Sequence, residues 1–236
     1  MTSRLSEILG FKVEHILCIS LEERYDRREK ILAQAERYGL RIEFVIVKKH
    51  QIPHVGCMES HLKCIALAKE RGYEYVCIFE DDAVLIHNRM NQEPINVPED
   101  WNMIFLGYNA LRGYRYSEHL LKLIMTLAAH SYLIHSRVYD EVLEGIKTSW
   151  WEIPEMQDIA QLEWNLSHSR DVIDVFYGKY ICHRLGSCYG IYPMLTNQGT
   201  GYSDIVNQYT DYTSWFEKSA NVLSLVHSPV TSHQEK

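Results

Sequence analysis

The chain has 236 residues, 46% of them hydrophobic and 23% charged, proportions that suit one domain with its own core and exclude a disordered, collagen-like or coiled-coil chain. Its 31 acidic and 24 basic side chains leave a formal charge of -7, so attraction to nucleic-acid phosphates is not an expected driving force. No run reaches the roughly 18 apolar residues that cross a bilayer, and MTSRLSEILGFKVEH lacks the apolar stretch of a signal peptide. A soluble, cytoplasmic protein without a transmembrane segment is expected, with peripheral membrane contact left open.

In chain order, HILCIS at 15–20 reads as a strand, and the charged segment through Tyr38 reads as a helix with Ile31, Leu32 and Ala35 on one face, closed by Gly39. EFVIVK at 43–48 is a second strand, Glu59 to Arg71 a second helix, and YVCIFE at 75–80 a third strand apolar enough to be buried on both faces. NMIFLGY at 102–108 and SYLIHS at 131–136 continue the strands, with a helix from Arg137 to Lys147. Between Trp150 and Tyr192 the pattern weakens, leaving possible strands at DVIDVFYG and SCYGIY in what reads as a substrate lobe. This alternation predicts an α/β fold with a mainly parallel central sheet, whose ligands gather beyond the carboxyl ends of the strands. One domain over residues 1–226 is expected, followed by a disordered tail at 227–236.

The residues richest in chemistry are Glu80, Asp81 and Asp82, three acids directly after the apolar strand. Like charges this close repel, and a divalent cation with oxygen ligands, Mg²⁺ or Mn²⁺, offsets them. In an extended stretch Glu80 and Asp82 point to the same side, so the pair can face a metal-diphosphate together. Three acids more often form a solvated turn; the buried strand before them favours a site. The spacing fits neither a haloacid-dehalogenase phosphatase, which needs Asp-x-Asp, nor a receiver domain, whose acid pair follows the first strand.

Ser60 and His61, in the stretch from Gly56, can donate to an anion if they lie near a helix N-terminus. Arg24, Arg27 and Arg28 follow the first strand, where guanidinium forks can hold a diphosphate. Alone, both groups read as ordinary helix surfaces. Gly-rich dinucleotide and P-loop fingerprints are absent, as are Gly-x-Ser-x-Gly and His-Glu-x-x-His. The six cysteines are scattered without a Cys-x-x-Cys pair, and Cys182-His183 has no evident partner ligands, so neither a disulfide framework nor zinc chemistry is expected.

Ile19-Ser20-Leu21 with Arg24 and Asp26-Arg27-Arg28, Gly56-Cys57 with Ser60-His61, and Phe79-Glu80-Asp81-Asp82-Ala83 together resemble glycosyltransferase family 25, which contains lipooligosaccharide and collagen galactosyltransferases. Phe105-Leu106-Gly107, Ala128 to Ser136, and Tyr192-Pro193 with Gln198 and Ser203-Asp204-Ile205 continue the resemblance in order, from about residue 15 to 205. It implies a GT-A-like Rossmann-type fold and transfer of a hexose, galactose-like at first guess, from a UDP-sugar to a hydroxyl of a glycan or glycoconjugate acceptor, with inversion. It implies Mn²⁺ (or Mg²⁺) on Glu80 and Asp82, and Ser20, Leu21, Arg24, Arg27, Ser60, His61, Asp81 and Gln198 around the donor. By position it implies Asp158 as the base, with Asp174 and Asp204 in reserve. Tyr108, Arg112, Tyr114, Arg115 and Tyr116 are candidates for stacking sugar rings. The alternative is a non-catalytic nucleotide-sugar or glycan-binding module that kept the fold.

Overall fold

A computed structural model describes residues 3–91, 93–149, 172–203, 208–211 and 213–226. Its centre is a six-stranded sheet in the order β2-β1-β3-β6-β5-β7, formed by β1 (Ile16–Leu21), β2 (Ile42–Val47), β3 (Tyr75–Glu80), β5 (Met103–Arg115), β6 (Leu120–His135) and β7 (Cys188–Ile191). β1 runs parallel to β2 and β3, β5 runs parallel to β7, and β6 lies antiparallel between β3 and β5. Only β6 is therefore reversed, and the sheet is mainly parallel, as the alternation predicts.

Apolar runs without polar alternation belong to strands covered on both sides. In β3, Val76 and Ile78 join one core cluster while Cys77 and Phe79 join the other; in β6, Tyr132 and Ile134 separate in the same way from Leu133. α1 (Arg4–Leu9) and α2 (Tyr25–Arg37) cover the second cluster through Leu5, Ile8, Ile31 and Ala35. α3 (Pro53–Glu70), α4 (Tyr139–Gly145) and α6 (Thr213–Ser224) cover the first through Cys64, Ile65, Val142 and Phe216. Among the described residues no helix is long and apolar enough to cross a membrane.

Three expectations change. α3 begins at Pro53, six residues before the predicted start. Proline's missing N–H costs nothing in a first turn. The glycine that obscures the helical pattern, Gly56, is needed for close approach, because a Cβ there would stand 2.6 Å from His50 Cβ. DVIDVFYG is not a strand: α5 (Ile173–Phe176) runs into a π-helical segment, Tyr177–Leu185, closed by Gly186 at φ 73°. Its β-branched and aromatic residues reflect burial rather than extended backbone, and Asp174 in the first turn accepts the Val175 N–H at 2.8 Å. The third change is β4 (Ala83–Leu85), which pairs antiparallel with β8 (Thr196–Gln198), a clip the pattern did not predict. A further antiparallel pair joins β9 (Gly201–Ser203) and β10 (Gln208–Thr210). The predicted tail at 227–236 lies outside the described residues.

The π-helical segment crosses β6 at Gly178, where a methyl group would overlap the Thr126 carbonyl oxygen and stand 2.7 Å from Met125 Sδ. Gly178→Ala is expected to cost on the order of 1–3 kcal/mol through overpacking. Urea denaturation at fixed pH measures it, and an unchanged midpoint would show that the two elements separate freely.

Candidate functional site

The carboxyl ends of β1, β2 and β3 open into one cleft, about 770 Å³ including its mouth, lined by Ser20 and Leu21, by Lys48, Lys49 and His50, and by Glu80, Asp81 and Asp82. Parallel strands place their ends, and the loops that follow, on one edge of the sheet. α2 contributes Arg27, α3 contributes Cys57 and Ser60, and the β4–β8 clip brings in Gln198.

The three acids have different partners. Arg27 Nη1 donates to Asp81 Oδ1 at 3.2 Å and to Asp82 Oδ2 at 3.1 Å, and Gln198 Nε2 donates to Asp82 Oδ2 at 3.4 Å. Glu80 turns inward, with Oε1 3.2 Å from His61 Nε2. The other ring nitrogen of His61 lies 2.8 Å from the Tyr132 hydroxyl, itself 2.8 Å from that of Tyr177. Two carboxylate oxygens, Asp81 Oδ2 and Asp82 Oδ1, are buried without a hydrogen-bond partner.

Such oxygens are costly in a site with one guanidinium, and the acidities show it. Burial foremost, then repulsion from Glu80, pushes the Asp82 carboxyl up to about 7 against the pull of Arg27. Burial also raises Asp81, against Ser20 and Arg27. Glu80 moves the other way: burial works to raise it, but the hydrogen bond and charge of His61, with His130 and Arg27, outweigh that and hold it below the usual value.

Of the residues singled out in the sequence, the cleft brings together Ser20, Leu21, Arg27, Ser60, Glu80, Asp81, Asp82 and Gln198. Arg24 is not on its wall; it forks onto Asp26 at 3.0 and 3.1 Å. Arg28 fastens the β1–α2 turn, donating to Ser20 Oγ and to the carbonyls of Leu21 and Glu22. Ser60 and His61 do not sit at a helix N-terminus, because α3 starts at Pro53: Ser60 donates to the Gly56 carbonyl at 2.6 Å, and His61 is fully buried behind Glu80. Tyr108 is a core residue whose hydroxyl donates to the Ile191 carbonyl, whereas Tyr116 is half exposed. Asp158 and Asp204 lie outside the described residues. Asp174 accepts the backbone N–H groups of Ala128 and Val175, and Ala128 holds a left-handed φ of 68°. The sequence reading missed Lys48, Lys49 and His50 as wall residues, although their position after β2 was the available signal.

Residues 48–144 match the model of glycosyltransferase family 25, described as an LPS biosynthesis protein, and this stretch includes Ser60, His61 and all three acids. Over these residues the match agrees with the resemblance read in the sequence. No curated protein matches the chain. Similar solved structures include A197 from STIV, at 12% identity over 93% of this chain and 98% of that one, with a TM-score of 0.42. A glycosyltransferase involved in glycosylating the major capsid of PBCV-1 is similar at 12% identity over 76% of this chain and 93% of that one, TM-score 0.38. A nucleoside-diphosphate-sugar pyrophosphorylase from Vibrio cholerae RC9 is similar at 14% identity over 74% and 70%, TM-score 0.38.

A carboxyl raised from 3.8 to about 7 favours folding below its unfolded value, and that contribution is lost as pH rises from about 4 through about 7. Asp82→Asn keeps an oxygen for Arg27 and removes the ionisation. In chelator-treated buffer its advantage in unfolding free energy over the parent is expected to grow across that window. Above it the advantage should level off at on the order of 1–3 kcal/mol. Urea unfolding measured at several pH values checks this; a difference independent of pH would show that Asp82 ionises normally.

Proposed function

We propose that the protein is an inverting glycosyltransferase that moves a hexose, galactose-like, from a UDP-sugar to a hydroxyl of a glycan or glycoconjugate acceptor, in the cytoplasm and on a GT-A-like scaffold. The observation that carries this reading is the cleft at the carboxyl edge of a parallel sheet, with Arg27 bridging Asp81 and Asp82 while each acid keeps one buried oxygen unpartnered.

Those oxygens fit a hard divalent cation, Mn²⁺ or Mg²⁺. Of the expected pair, Asp82 is better placed for this role, because Glu80 Oε1 already faces His61. When bound, such an ion supplies positive charge to the diphosphate as it departs. Arg27 keeps the two aspartates in register, and Gln198 holds Asp82 from the adjoining β4–β8 clip. Lys48, Lys49 and His50, carried on the β2–α3 connection, border the same space, where the two lysines add positive charge beside a nucleoside diphosphate. Ser20 and Leu21 line the same cleft, which supports the reading of them as donor-side residues.

Inversion needs a base on the acceptor side. Asp158 is proposed from the family resemblance. Asp174 is a weaker choice because two backbone N–H groups already occupy its carboxylate.

Titrating UDP into the full chain with Mn²⁺ is expected to show metal-dependent affinity that Asp82→Ala weakens at least about tenfold. Unchanged affinity would remove Asp82 from the donor site. Asp158→Asn is expected to leave that affinity intact and to lower single-turnover sugar transfer by about 10²–10⁴-fold. Transfer at the parent rate would exclude Asp158, and a parent chain that binds a UDP-sugar but neither transfers nor slowly hydrolyses it would favour the non-catalytic module.

A further inference from the structure

We propose that Cys57, His61 and Glu80 form a binding site for one thiophilic divalent cation, of the zinc or cobalt(II) kind, on the inner wall of the cleft. The sequence gives no hint of it, since the three residues match no ligand-spacing motif. The fold assembles them: Cys57 and His61 are one turn apart on α3, and β3 ends against that face with Glu80. Their donor atoms, one sulfur, one imidazole nitrogen and one carboxylate oxygen, lie within 4.8 Å of one another.

The spacing is close to what a tetrahedral ion requires. Metal–nitrogen and metal–oxygen bonds of about 2.0–2.1 Å at a tetrahedral angle put the two donors about 3.3 Å apart. His61 Nε2 and Glu80 Oε1 stand at 3.2 Å. A thiolate bonded at about 2.3 Å would lie about 3.5 Å from each, so the sulfur must close by no more than about 1.3 Å, within reach of a side-chain torsion.

The surroundings complete the site. A ligating histidine is usually oriented through its other ring nitrogen, and His61 Nδ1 faces the Tyr132 hydroxyl at 2.8 Å. Both Tyr132 and Tyr177 carry hydroxyls that rotate, so the ring proton can reside on Nδ1 when Nε2 binds metal. Burial foremost, then the charges of Glu80, Asp174 and Asp82, holds the Cys57 thiol well above its ordinary range, so the arriving cation itself must displace the thiol proton; Arg27 is engaged by Asp81 and Asp82. Cys57 and Glu80 both line the cleft, which gives an ion its entry path and leaves the fourth coordination position open. Sulfur with imidazole selects zinc or cobalt over magnesium or manganese, so this site differs in preference from the all-oxygen pair at Asp81 and Asp82.

The test uses the full chain, stripped with a chelator and free of nucleotide and acceptor. Titration with Co²⁺ is expected to produce, at one equivalent, the near-ultraviolet thiolate-to-cobalt charge-transfer band and the strong visible bands of four-coordinate cobalt(II). One equivalent of Zn²⁺ should abolish both. Cys57→Ser, checked for native circular dichroism and melting, is expected to lose the charge-transfer band and to bind Zn²⁺ at least about tenfold more weakly; Tyr132→Phe should weaken it by about 10–100-fold while keeping the band. The other five cysteines are all buried, so a band in the parent that persists in Cys57→Ser would overturn the assignment, as would no band at all. Neither result touches the sugar-transfer reading, which rests on Asp82 and the UDP titration.

Discussion

Glu80, Asp81 and Asp82 put as many as three negative charges on consecutive residues at the end of a strand covered on both faces, and the nearby architecture is arranged around offsetting them. Water cannot do this alone, because Asp81 and Asp82 each hide an oxygen from it. One guanidinium bridges Asp81 and Asp82, one imidazole holds Glu80, and an amide distant in the chain gives Asp82 a second partner. Even so, burial foremost, with repulsion from Glu80 added to it, keeps the Asp81 and Asp82 carboxyls raised. Both aspartates thus keep an oxygen that neither the protein nor water satisfies.

The topology explains why the offset comes from so many places in the chain. β3 lies between β1, whose following turn leads to α2 and Arg27, and β6, which carries Tyr132. α3 passes over the first core cluster and delivers His61 to the interior. β4 leaves the acids and is caught at once by β8, with Ala83 opposite Gln198, so the chain beyond Asp82 is fixed within a few residues. The reversed β6 also carries His130, which stacks on Phe216 and is lowered to about 4, burial outweighing the pull of Glu80.

How much of this was legible follows from the range of each interaction. β1, α2, β2 and β3 depend on local apolar runs and a closing glycine, and their predicted limits fall within a few residues of the observed ones. The acids were legible because a charged triplet after a buried strand is anomalous in one dimension. Their partners were not: Gln198 is 116 residues from Asp82, and His61 was read as a surface donor because its burial depends on β3 and β6. α5 was misread as a strand since Ile173, Val175 and Phe176 advertise burial, which helix and strand share. The long register of β5 and β6 was foreshortened because its ladder shifts at Gly107 and again near Arg112, breaking the period-two pattern.

Identical chemistry at alternate positions does not give identical function. Glu80 and Asp82 are both carboxylates on one cleft wall, yet their environments push their acidities apart. Glu80 is held low through the imidazole behind it, and Asp82 is raised because burial and Glu80 itself oppose its charge. Paired acids separated in this way tend to divide their work. Glu80 is held from within by a histidine whose other ring nitrogen meets the first of two linked tyrosine hydroxyls. Asp82 keeps one unpartnered oxygen and stands near its midpoint at neutral pH, so of the two it is the one whose charge responds to its surroundings. Because Glu80 opposes the charge of Asp82, whatever neutralises the inner acid also eases ionisation of the outer one, so the two carboxylates titrate as a linked pair.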